Sequence, residues 1–165
     1  MTVLSASKSR PVKLPAGGLT TLPLKLAGYT NFGGGSTEHT VYKGSVVVCD
    51  QSDTDGYFRA APSSGSTASA SADIFGGIAA EKVEVKAADT ADGAKKCTVY
   101  TNGIWGFAVG SLAITDIGAP AYASDDDTIT TTDTNNWWVG TIVDVDSTYV
   151  WVDISHAAMR TNTPT

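Results

Sequence analysis

The chain has 165 residues, a formal net charge of −6, and 17% charged against 42% hydrophobic residues. That length fits one domain with a real core, and the acidic balance argues against nucleic acid as a main partner. Leu, Glu, Lys and Arg are sparse while Gly, Ala, Ser and Thr are abundant, which excludes a long-helix architecture and predicts a mainly β chain.

Residues 1–25 carry Lys8, Arg10, Lys13 and Lys25 and no acid, a net +4, whereas the remainder holds the other seven basic residues and all 17 acids, a net −10. Pro11, Pro15 and Pro23 bias this stretch toward extended backbone. Val12, Leu14, Leu19, Leu22, Leu24 and Leu26 make it too apolar for a disordered linker. It reads as an extended, cationic N-terminal arm whose apolar residues are bound by this subunit, a neighbour or a partner; the sharper reading of its charge is an arm docked on an acidic partner, the plainer one a solvated, mobile terminus. With the flexible loop NFGGGS at 31–36 it forms an arm-and-loop unit over residues 1–40. There is no apolar run long enough for a signal peptide or a membrane span, so no membrane partner is expected.

Residues 41–50, VYKGSVVVCD, read as the first strand of the body, with Gly44 permitting a bulge or tight bend. A polar turn at 51–56 leads to a short strand at 57–61 closed by Pro62. The low-complexity run SSGSTASASA at 63–72 reads as an exposed loop. In 73–86, residues 79–82 fit a helical turn, and Val83 and Val85 alternating with Glu84 and Lys86 fit a strand with one wet face. Residues 96–109, KCTVYTNGIWGFAV, carry two β-rich runs around Asn102-Gly103. This is a strong hairpin signal, which predicts a type I′ turn with Tyr100 opposite Trp105.

Residues 120–123 read as a short strand, SDDD at 124–127 as a solvated acidic turn, and 128–132 as a Thr-rich edge strand. A second hairpin is predicted from 138–145 and 148–154 about Asp146-Ser147. Val150, Val152 and Ile154 share one of its faces, and Tyr149, Trp151 and Asp153 the other. Residues 155–165 form a polar tail. About eight to ten short strands without periodic helices argue an antiparallel barrel or sandwich, with the body at 41–154.

Little of this points to catalysis. The Gly33–Gly35 run lacks the lysine of a phosphate loop and opens no helix. His39 and His156 lie in a loop and in the tail, with no nucleophile marked out beside either. Cys49 and Cys97 fall inside strand-like runs and read as buried thiols. Two Cys and two His without paired spacing give no zinc site. Asp125, Asp126 and Asp127 offer oxygen ligands but lack the spacing of a Ca²⁺ loop. Trp105, Trp137, Trp138 and Trp151 fit core or interface positions; a sugar-stacking platform of Trp137, Trp138 and Trp151 is the alternative. No cofactor, no metal and no enzymatic activity are expected.

Three segments taken in order resemble a known family. They are IFGGIA at 74–79; ADGAKK at 91–96 running into the Asn102-Gly103 stretch; and TDIGAPAYASDDDTIT followed by TNNWWVGTIVDVDSTYVWVDI within 115–154. The set resembles tailed-bacteriophage capsid decoration (cement) proteins, some of which carry a RecA/RadA-like recombinase label that the missing phosphate loop contradicts. The resemblance implies a compact antiparallel β-barrel or β-tulip with an extended N-terminal arm. It implies a homotrimer on the outer surface of the virion, made in the host cytoplasm, whose partner is the major capsid protein of the expanded shell. Lys8, Arg10, Val12, Lys13 and Leu14 would then form the capsid-binding arm, and Trp105, Trp137, Trp138 and Trp151 a trimer interface. A carbohydrate-binding β-sandwich module is the rival reading.

Overall fold

A computed structural model describes residues 3–30, 36–49, 56–62 and 73–161. Most of the expected turn at 51–56, the low-complexity run at 63–72 and most of the glycine loop at 31–36 lie outside the described residues. The chain is all-β and antiparallel. Its strands are β1 (Val12–Lys13), β2 (Thr21–Lys25), β3 (His39–Val41), β4 (Val46–Cys49), β5 (Phe58–Ala60), β6 (Ile74–Ala79) and β7 (Val83–Val85). They continue with β8 (Lys96–Tyr100), β9 (Ile104–Ala108), β10 (Pro120–Ala123), β11 (Ile129–Thr130), β12 (Trp137–Val145), β13 (Tyr149–Asp153) and β14 (Arg160–Thr161). The sole helical element among the described residues is a 3-10 turn at Ile114–Asp116.

Two sheets dominate. One runs β1-β9-β13-β12-β10-β11; the other runs β2-β8-β6-β4-β5, with β14 also on β6. Both are open, and no closed barrel is found among the described residues: β1 and β11 edge the first sheet, β2 and β5 the second. Their facing sides enclose a core containing Val46, Val48, Phe75, Ile78, Trp105, Phe107, Trp137, Val150 and Val152. A second core, with Leu24, Leu26, Val41, Val47, Cys49, Val85, Cys97 and Val99, lies on the other side of the second sheet under the β3–β7 pair. The second sheet is therefore a middle layer. Val46 and Val48 point one way, Val47 and Cys49 the other, which is why β4 is an unbroken apolar run instead of an alternating one. Both cysteines are free and buried.

The β12–β13 hairpin forms as the sequence predicts. Val150, Val152 and Ile154 are buried, while Tyr149, Trp151 and Asp153 are half-buried. Asp146 closes its loop, its carboxylate accepting the Thr148 and Tyr149 amides and the Trp151 indole N–H.

Asn102-Gly103 does something else. β8 and β9 lie in different sheets, so the dipeptide is a corner and not a hairpin turn. Gly103 has φ +103°, but Asn102 does not take the positive φ a type I′ turn needs. Tyr100 and Trp105 still meet, with ring centroids 5.1 Å apart, because both point into the space between the sheets. The N-terminal segment makes the same corner: β1 pairs with β9, Gly17 and Gly18 turn at φ +91° and +83°, and β2 pairs with β8. The Asn102 side chain joins the two corners, accepting the Thr20 amide at 2.7 Å and donating to the Gly18 carbonyl at 3.1 Å. The tail also departs from expectation: β14 pairs with β6 and Ala157 is buried.

Candidate functional site

The N-terminal segment is the feature the sequence marks for binding, and from Val3 to Leu26 it lies along its own body. It supplies an edge strand to each sheet. The body is shaped to receive it by glycines. A Cβ on Gly44 would run into the Lys8 carbonyl, one on Gly106 would sit 2.7 Å from the Pro11 ring, and one on Gly103 would sit 3.0 Å from Leu19. Close backbone approach is a standard reason for glycine inside a strand pattern.

The acidic partner foreseen for the cationic segment is this chain's own turn at 124–127. Arg10 is buried. Its Nε donates to the Gly44 carbonyl at 2.5 Å, its guanidinium donates to the Asp127 carboxylate at 2.6 Å and the Asp126 carbonyl at 3.2 Å, and it lies 4.1 Å from the centre of the Phe107 ring. Lys8 reaches Asp127 at 3.0 Å, and its amide donates to the Lys43 carbonyl. The Leu4 amide and the Ser45 hydroxyl both donate to the Asp126 carboxylate, at 2.8 Å each. Lys13 pairs with Asp144 at 3.1 Å and lies over the Trp151 ring. The three cations expected in the capsid-binding arm are thus paired within their own chain. Val12 packs against the main core, and Leu14 is 69% exposed.

The turn itself is not the solvated loop the sequence suggests. Asp125 and Asp126 are buried, and Asp125 accepts the Asp127 and Thr128 amides. Burial pushes the Asp126 carboxyl up to about 6; the Asp125 and Asp127 charges add to the rise, and the Leu4 and Ser45 hydrogen bonds oppose it. Burial likewise lowers the Arg10 guanidinium from its ordinary value, against the three aspartates.

Trp105, Trp137 and Trp138 are core residues of a single chain, with Trp137 fully buried. They have no surface to offer a trimer partner or a sugar. Trp151 keeps a half-buried outer face, edge-on to Tyr149. His39 sits on β3 beside a groove lined by Glu38, Thr40, Glu84, Val85 and Lys86, and His156 is exposed in the turn after β13. Among the described residues no group of three or more His, Cys, Asp or Glu could hold a metal ion.

What the segment presents outward is apolar. Val3 and Leu22 are about 40% exposed alongside Leu14. Sequence reasoning found the apolar and basic residues but not which of them face in. The signals present were Gly44 and Gly106 within strand-like runs and the Gly17-Gly18 pair. No family model, curated protein or solved structure matches the chain.

Proposed function

We propose that this chain is a virion structural protein that decorates and stabilises an expanded phage shell as a trimer, with no enzymatic activity. The reading rests on the ordered resemblance of residues 74–79, 91–103 and 115–154 to cement proteins. In it, the two facing sheets and their connections stand where that family has its barrel or tulip. The observation that carries it is the sidedness of the N-terminal segment. Lys8, Arg10 and Lys13 are held by the chain's own aspartates, while Leu14, directly after β1, faces solvent with Val3 and Leu22. Apolar anchoring by a segment that stays on its body replaces electrostatic steering by a free arm, and three copies in a trimer supply avidity.

The test is co-sedimentation with shells expanded from procapsids of the encoding phage, alongside the molecular mass in solution. Leu14→Asp is expected to lower decoration about tenfold or more without moving the unfolding midpoint, because an exposed leucine that anchors a partner carries binding energy but little folding energy. Full decoration by the variant, or a monomeric protein that leaves expanded shells bare, rejects the proposal. The rival saccharide platform loses Trp137 and Trp138 to the core and is not retained.

A further inference from the structure

The corner at Asn102-Gly103 carries a chemical liability as well as a structural role. Asparagine stands at positions 31, 102, 135, 136 and 162, and only Asn102 precedes a glycine. With no Cβ on the following residue, little shields its backbone nitrogen from the asparagine side chain. That nitrogen can attack the carboxamide carbon Cγ and displace the side-chain amide as ammonia.

In the folded chain the N-terminal segment stands in the way. Asn102 Oδ1 accepts the Thr20 amide at 2.7 Å and Nδ2 donates to the Gly18 carbonyl at 3.1 Å, so both ends of the carboxamide are tied to the neighbouring corner. The nucleophile is occupied too: Gly103 is buried, and its N–H donates to the Ser155 hydroxyl at 3.3 Å. The peptide between the two residues is held as well, the Asn102 carbonyl accepting the Trp105 indole N–H at 2.9 Å. The restraint itself lies at an edge. Thr20 is exposed, a Cβ on Gly17 or Gly18 would meet nothing, and β2 is an outer strand of its sheet. Edges of this kind open locally at a lower free energy than the whole chain unfolds.

We infer that Asn102 is a modification site: it deamidates when the Gly17–Thr20 corner lifts from it, without unfolding of the body. The Gly103 N–H gives up its proton to solvent, a bond forms between that nitrogen and Cγ, and the Cγ–Nδ2 bond breaks as ammonia leaves. Water then opens the cyclic imide at either carbonyl, leaving aspartate or isoaspartate at 102. Neither product keeps the N–H that Gly18 accepts, so conversion permanently cuts half of the link between the two corners. The site is independent of the shell-binding reading and uses none of its residues.

The test ages the full chain at mildly alkaline pH, native and in denaturing urea, and follows the acid forms of residue 102 by peptide mass spectrometry, beside amide hydrogen exchange on the native chain. The native slow-down is expected to match the protection of the Thr20 amide within about threefold and to fall at least about tenfold short of that of the slowest β13 amides, as local opening requires. Thr20→Pro removes the donor to Oδ1 and keeps the carbonyl; it is expected to speed conversion about fivefold or more with those β13 amides still protected. Native conversion as fast as in urea, a slow-down that tracks β13, no conversion in the time that Thr20 exchange dictates, or an unchanged rate in Thr20→Pro would each overturn the inference.

Discussion

Arg10 shows how one side chain can decide where a whole segment lies. A guanidinium is the group best suited to a buried ion pair because it is weakly hydrated and presents several donors, and here it meets two carbonyls, one carboxylate and an aromatic face. Arg10→Ala leaves Asp127 without its closest cation and opens a void over Phe107. It is expected to cost about 3 kcal/mol, read as a lower urea midpoint at unchanged slope. Asp126 gives a prediction of opposite flavour. Its carboxyl sits at about 6 in the folded chain, above its ordinary 3.8. The folded state therefore holds the proton more tightly. The stability this group contributes is full below its unfolded value and is lost as pH rises through about 6. His39, lowered chiefly by burial, contributes with the opposite sign, so the comparison must be with a variant that keeps it. Relative to Asp126→Asn, the natural chain is expected to gain on the order of 1–2 kcal/mol on going from pH 7 to pH 5. Parallel stability curves for the two proteins would refute this.

At the scale of elements, the lesson lies in what Asn102-Gly103 became. The strands on both sides were legible, since Val, Thr, Tyr, Trp and Phe dominate them. Their partners were not. A hairpin signal is local, whereas pairing is decided by which faces must be buried, and β8 belongs to a sheet covered on both sides while β9 belongs to one with an outer face. The β12–β13 hairpin was legible because its alternation is clean and its loop is closed by a single aspartate. Candidate binding residues were legible as a group, but a sequence does not say whether a cationic stretch meets its own chain or another. Gly103→Val is expected to cost about 1–3 kcal/mol, because φ is +103° and an added Cβ would sit 3.0 Å from Leu19. Asn102→Ala should cost about 1–2 kcal/mol and speed hydrogen exchange at the Thr20 amide, which loses its acceptor. Unchanged exchange at Thr20 would show that the two corners do not depend on that side chain.

For the molecule as a whole, the integrated segment changes what truncation means. A free arm could be removed without harm. Deleting residues 2–14 from this chain strips β1 from β9, removes Lys8 and Arg10 from Asp127 and Lys13 from Asp144, and uncovers Trp105 on its Val12 side. The deletion is expected to lower the thermal midpoint by about 10 °C or more, given that several kcal/mol are lost from a domain of this size. A midpoint within a degree or two of the full chain would mean that the segment only rests on the surface.

The latch between Leu4 and Asp126 also has a consequence in time. The two residues are 122 positions apart in the chain. At roughly 5–20 residues per second, the leading segment leaves the ribosome on the order of 6–25 s before its acceptor exists. During that interval its leucines and its strand-forming backbone are in water, with β9 also still to be made. Nascent chains on one message would be open to pairing with one another in this window, and the segment's three prolines, each lacking a donor, are the features that discourage it.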